Sequence, residues 1–124
     1  MSNNRPLSPH LQIYSLPITG IISISHRLTG VFLAMGLVGF VFMLAQVKAG
    51  MLTFLEMQTL LQTMPMQLLL SGFIYALMFH LCHGVRHLIW DVGQSFSRET
   101  LTRYAQIELA ASFVLTAFML AVVL

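Results

Sequence analysis

Charge is what this sequence has least of. Only 8% of its 124 residues are Asp, Glu, Lys or Arg, against about a quarter in a typical soluble domain. With 57% hydrophobic residues and a mean hydropathy of +0.83, the surface is not built to face water. The net charge of +2 and pI near 9.1 look basic, but six Lys+Arg are too few for a nucleic-acid surface. Cysteine is scarcer still. Cys82 stands alone, which excludes a disulfide framework or a Cys-x-x-Cys metal site within the chain. The opening "MSNNRPLSPHLQIYSLPITG" has no apolar h-region and a single arginine, Arg5. It resembles neither a cleavable signal nor an Arg-rich transit peptide, so the N-terminus is expected to be mature and to stay on the side of synthesis. The length allows one compact unit and no second domain.

Long apolar runs are what is present. A bilayer core of roughly 30 Å needs about 20 apolar residues of helix, and three stretches qualify. "LTGVFLAMGLVGFVFMLAQV" (28–47) is uncharged, "MQLLLSGFIYALMFHLCHGV" (66–85) is interrupted only by His80 and His83, and "AQIELAASFVLTAFMLAVVL" (105–124) carries Glu108 near its start. None has the amphipathic period of a water-facing helix, which speaks against a soluble helical bundle. The reading is an all-α membrane protein with three transmembrane helices, forming part of a heteromeric helical bundle. A single membrane-anchor domain covers 1–124. It comprises an N-terminal segment 1–20, helix one about 21–47, an outer connection 48–65, helix two about 66–91, an inner connection 92–104 and helix three about 105–124.

Pro17 suits a first helical turn, and "ITGIISIS" carries the apolar pattern back to it. The basic residues set the orientation. Arg5, Arg27, Arg86, Arg98 and Arg103 fall on the N-terminal side or at the second connection, while Lys48 alone marks the first. That asymmetry predicts the N-terminus inside and the C-terminus outside. The outer connection has Phe54, Leu55, Leu60 and Leu61 among polar neighbours and suits a short helix on the membrane surface. The inner one reads as a polar turn, with Ser97 or Thr100 available as a cap.

The ionisable residues of "HLCHGVRHLIWD" (80–91) then need a reason, because such groups are costly in hydrocarbon. At 100° per residue, His80, Gly84, His87 and Asp91 lie within about 60° of one another, a single stripe. Asp91 is roughly 16 Å along the helix from His80, so His80 sits deep while Arg86, His87 and Asp91 lie near the inner boundary. Gly84 leaves room for a flat group to approach. On helix one, Ser23, His26, Arg27 and Gly30 share a face by their i, i+3, i+4, i+7 spacing, at the same depth as His87.

That arrangement suits a haem on edge. His80 would be an axial ligand, and Arg27, His26 and His87 would face the propionates. A deep histidine can equally just hydrogen-bond a neighbouring helix, and spacing alone leaves the two open. Zinc is the competing metal, since His80, His83 and His87 have helical spacing, but no carboxylate or thiolate is seen to join them at depth. Helices one and three offer no other deep histidine, so a second iron ligand would come from a partner chain. His83 reads as a packing or lipid-side residue; Arg86, Arg98 and Arg103 as interface anchors; Glu108 as a cap or snorkelling group.

"RPLSPHLQIY", "PITGIISISHRLTG" and "HLCHGVRHLIWD", in that order, resemble the cytochrome b large anchor subunits of succinate dehydrogenase, respiratory complex II. The pairing of S-x-x-H-R-x-[ST]-G with H-x-x-x-G-x-R-H-x-x-x-D carries the resemblance from Arg5 to Asp91. It implies that His80 is the axial ligand of haem b, shared with a small anchor subunit that supplies the other ligand. It implies that Ser23 and Arg27 line the ubiquinone site beside an iron–sulfur subunit, that His26 and His87 stand near the haem propionates, and that a flavoprotein subunit oxidises succinate. The serine hydroxyl would hydrogen-bond a quinone carbonyl and the arginine charge would favour the anion formed on one-electron reduction. His83 departs from the family pattern and puts the choice of ligand in question. The membrane would be a bacterial inner membrane or a mitochondrial one. The alternatives are a quinol:fumarate reductase anchor and a non-redox structural or zinc-holding membrane protein.

Overall fold

A computed structural model describes residues 15–93 and 97–123. The N-terminal segment up to Tyr14, with Arg5 in it, and the side chain of Arg98 lie outside the described residues. The chain is helical: α1 (Ile18–Ala49), α2 (Met51–Leu61), α3 (Met64–Asp91) and α4 (Arg98–Val123). Three of these, α1, α3 and α4, are long and apolar enough to cross a membrane. At 1.5 Å per residue even α4 exceeds the roughly 30 Å hydrocarbon thickness, so each helix either tilts or extends into the headgroup layer.

Local chemistry sets the boundaries. Pro17 is the N-cap of α1, and its carbonyl accepts from the Gly20 and Ile21 amides. Gly50 separates α1 from α2 with φ 135°, a conformation open to glycine and strained for other residues. The Thr53 hydroxyl lies 2.8 Å from the Gly50 carbonyl and 3.0 Å from that of Gln46, which ties the corner together. The sequence expectation of a short helix in the first connection corresponds to α2. Pro65 occupies the first turn of α3, and Gly93 ends that helix with φ 83° and its amide on the Trp90 carbonyl. Ser97 caps α4: its hydroxyl accepts from the Thr100 amide at 3.3 Å and its carbonyl from Leu101 at 2.9 Å. The cap moves the start of α4 to Arg98, ahead of the apolar run that begins at 105, because the polar turns "RETLTRY" continue the helix outside the hydrophobic segment.

Helix α3 is central and packs against α1 on one side and α4 on the other. The apolar core is small: Ile22, Phe79 and Ala105, flanked by Ile18, Tyr75 and Leu109. The large apolar side chains mostly point outward, among them Leu28, Val31, Met35, Val38 and Phe42 along α1. Buried instead are polar groups: His83, Arg86, Glu108, Ser112 and Thr116. This inversion fits lipid as solvent, where helix association relies on close packing and interhelical hydrogen bonds. Ala105, Glu108, Ser112 and Thr116 form the α4 face turned to α3, and the two hydroxyls return to carbonyls of their own helix, Leu109 at 2.8 Å and Ser112 at 2.6 Å.

At Gly36 of α1 the Phe73 ring of α3 fills the space that a side chain would take. A Cβ there would overlap the ring of Phe73, which also packs on Phe32. Gly36→Val therefore has to displace an aromatic ring that is wedged between two helices. Overpacking of this kind costs about 1–3 kcal/mol, so the detergent-solubilised protein should melt several degrees lower. Gly39→Val, where nothing lies within 4 Å of the new Cβ, should leave the melting temperature unchanged.

Candidate functional site

The polar residues of α1 and α3 meet as a cluster of imidazoles. The His26 ring on α1 stacks on His80 of α3, with centroids 3.9 Å apart and planes 14° from parallel. Its neighbours on α3 are His83, at 4.5 Å, and His87, at 5.7 Å. His26 is thus surrounded by successive α3 histidines, and its Nδ1 is buried without a hydrogen-bond partner.

His80 is held from α1. The Thr29 hydroxyl donates to the His26 carbonyl at 2.9 Å, so its oxygen is left to accept, and it lies 3.3 Å from His80 Nδ1. That geometry places the proton on Nδ1 and the lone pair on Nε2. Gly30 completes the support, since a Cβ at that position would come within 3.1 Å of His80 Cε1. The ring is half-buried. Along the same stripe Gly84 is half-exposed, while His87 and Asp91 are exposed. A Cβ on Gly84 would meet nothing within 4 Å. The stripe is therefore the open side of α3 at the end where α1 starts.

The donor set fits a haem on these grounds. One imidazole nitrogen is free, its ring is oriented from behind, a glycine gap lies one turn away, and cationic or imidazole groups stand nearer the helix end. Ser23 is half-buried and Arg27 is exposed on the same stretch of α1 as His26, so both can be reached from outside the chain.

His83 lies elsewhere. It is 2% exposed and its Nδ1 donates to Glu108 Oε1 at 2.7 Å. The other carboxylate oxygen accepts from Arg86 Nη1 at 3.0 Å, and Arg86 Nη2 reaches the Leu101 carbonyl at 2.7 Å. The guanidinium sits 4.8 Å from the centre of the Trp90 ring, a cation–π contact. His87 meets Trp90 edge-on at 4.9 Å.

Several expectations change here. A carboxylate does join one of the histidines: Glu108, supplied by α4, pairs with His83. The residue is neither a cap nor a snorkelling group, because it is 5% exposed and paired twice. Arg86 is not an interface anchor but a buried partner at 5% exposure. His83 is interior packing rather than a lipid-side residue. Even so, no group of three or more His, Cys, Asp or Glu among the described residues has the geometry to hold a metal ion. Thr29 is a residue the sequence reading passed over, and Glu108 is one to which it gave the wrong role. The signal for Glu108 was its position: a lone acid within an apolar span calls for a buried partner.

Comparison with known proteins agrees with this architecture. The family model for the succinate dehydrogenase/fumarate reductase transmembrane subunit matches residues 1–119. The succinate dehydrogenase cytochrome b556 subunit of Paracoccus denitrificans is 36% identical over 119 residues, covering 96% of this chain and 92% of the relative. The cytochrome b560 subunit of Reclinomonas americana is 37% identical over 131 residues, covering 97% of this chain and 88% of the relative. The cytochrome b556 subunit of Rickettsia felis is 39% identical over 97 residues, covering 77% and 73%.

Proposed function

The chain belongs to the succinate dehydrogenase/fumarate reductase transmembrane subunit family, and from that membership we propose that it is the cytochrome b anchor of a succinate:ubiquinone oxidoreductase. It is a membrane-embedded part of an enzyme complex and performs no dehydrogenase chemistry alone. His80 would hold the iron of haem b, with a second ligand supplied by a small anchor subunit. Ser23 and Arg27 form this chain's share of the ubiquinone site, against an iron–sulfur subunit that passes on electrons from a succinate-oxidising flavoprotein. The asymmetry of its basic residues puts the N-terminus inside, in a bacterial inner membrane or its mitochondrial counterpart.

One observation carries this reading. Thr29 accepts from His80 Nδ1, which leaves the Nε2 lone pair on a half-buried ring, whereas His83, whose Nδ1 is likewise engaged by Glu108, is only 2% exposed and enclosed between α3 and α4. Haem b, when bound, supplies single-electron acceptance and return. The chain's own residues do the rest. Thr29 and Gly30 fix the ring plane of His80, and Gly84 leaves a flat group space to lie against the helix. His26, Arg27 and His87 offer hydrogen bonds and positive charge to carboxylates at the polar end. The apolar exterior of α1, α3 and α4 keeps the site within lipid.

A reduced-minus-oxidised absorption spectrum of the purified complex, with wild type beside His80→Ala and His83→Ala, tests the assignment. His80→Ala should lose or alter the low-spin haem band, and His83→Ala should keep a haem band. A band lost only in His83→Ala would move the ligand to that residue. A wild-type complex that contains its small anchor partner but shows no band would remove haem from the function.

A further inference from the structure

The His83–Glu108 hydrogen bond is not part of the iron-ligand set, yet it is connected to that set by an unbroken series of contacts. Glu108 Oε1 holds His83 Nδ1 at 2.7 Å. The His83 ring lies 4.5 Å from that of His26, and His26 stacks on His80 at 3.9 Å. On its α1 side His80 is held by the Thr29 hydroxyl at 3.3 Å, and it lies near enough to Gly30 that a Cβ there would fall 3.1 Å from its Cε1. Imidazoles this close cannot rotate independently, since packed interiors transmit displacement.

We propose that Glu108 is a positioning residue for the haem end of the molecule: by holding His83, it fixes the ring of His26 against His80 and so sets the plane of the axial imidazole. The carboxylate of α4 thus controls a ligand on α3 through a ring on α1, although Glu108 itself never approaches the iron site. Residues that fix the orientation of a ligand tune the metal centre it serves. The proposal rests on His80 as the ligand.

The second carboxylate oxygen complicates a simple test, because it neutralises buried Arg86. Removing Glu108 alone leaves an unpaired charge, and the protein would suffer for that reason instead. Two charge-neutral double variants avoid this: Arg86→Met with Glu108→Gln, and Arg86→Met with Glu108→Leu. They differ only in whether residue 108 can accept a hydrogen bond from His83. A third variant, His83→Phe, keeps the Arg86–Glu108 pair and a planar ring but loses the Nδ1 donor.

The readout is the low-spin haem signal per haem in the purified complex, measured as the electron paramagnetic resonance g-value and the midpoint potential. Both respond to ligand orientation, and neither depends on how much complex assembles. The Glu108→Gln double should keep the wild-type signal. The Glu108→Leu double should shift it, in the same sense as His83→Phe. Wild-type signals in every variant would overturn the proposal. Equal shifts in both doubles would overturn it too, since the charged pair rather than the His83 hydrogen bond would then matter. If the Glu108→Leu double does not assemble, His83→Phe decides alone: a shifted signal supports the proposal and an unchanged one ends it. Failure of the underlying reading looks different, because His80→Ala would then leave the wild-type haem band intact.

Discussion

Arg86→Met is expected to remove most of the chain from the membrane, through lost stability rather than lost chemistry. The substitution strips Glu108 of its guanidinium partner while leaving the carboxylate 5% exposed between α3 and α4. Breaking one side of a buried ion pair costs about 3–5 kcal/mol; the His83 hydrogen bond remains on one carboxylate oxygen, which puts the expected loss toward the lower end. In the folded-to-unfolded ratio that is a factor of about a hundred to several thousand at 1.4 kcal/mol per tenfold. Loss of the Leu101 carbonyl bond and the Trp90 contact adds to it. The second substitution of Arg86→Met with Glu108→Gln removes the stranded charge and should restore most of the accumulation. Immunoblots of membranes and melting curves of the solubilised protein measure both. A single variant as abundant and as stable as the double would show that the pair carries no such burden.

This network marks the limit of what could be read from the sequence. The helices were legible because hydrocarbon imposes a length and a composition on any span, and three runs of about 20 apolar residues satisfy it. The stripe His80, Gly84, His87 and Asp91 was legible because it lies within one helix, where 100° per residue converts spacing directly into a face. Which residues of different helices meet was not legible. Nothing in the one-dimensional pattern places Glu108 opposite His83, 25 residues earlier, or aligns Thr29 with His80 across 51 residues. Those pairings depend on helix rotation and on how side chains such as Phe73 seat against Gly36, properties of packing alone. The early start of α4 was missed for another reason. Hydropathy reports where a helix enters lipid, not where its hydrogen bonds begin, and Ser97 caps the helix in the polar layer.

The misreading of Arg86 follows the same logic. An arginine near a predicted membrane face is usually an anchor, and its helical angle pointed it well away from the histidine stripe. The structure keeps that angle but fills the space it points into with α4. Burial was therefore decided by a neighbour that the pattern of α3 could not reveal. The polar interior and apolar exterior together explain how a chain with few charged residues still holds a defined arrangement. Dispersion and lipid exclusion bring the helices together, and one buried triad sets their rotation.

Arg27→Leu is expected to reduce electron delivery to ubiquinone about a hundredfold while succinate oxidation with a soluble artificial acceptor stays near wild type. The side chain is exposed in this chain and sits one turn from half-buried Ser23 on the same face of α1, so its loss leaves no buried group unsatisfied and should not unfold the helix. On the proposed function, what it removes is a fixed positive charge beside a quinone oxygen that becomes negative on reduction. A preorganised donor of this kind is worth about 2.7–4 kcal/mol in a site shielded from water, and the exposure of Arg27 in this chain puts the expected effect at the lower end. Ser23→Ala removes one neutral hydrogen bond and should cost about tenfold, consistent with about 1.4 kcal/mol. The ranking follows from charge, and so does a second consequence: Arg27→Lys keeps the charge but loses the planar fork of donors, and should fall between Ser23→Ala and Arg27→Leu. Steady-state rates with ubiquinone and with the soluble acceptor, on the same preparations, check all three. Equal loss with both acceptors would assign these residues to assembly. No loss with either would move the quinone site off this face of α1.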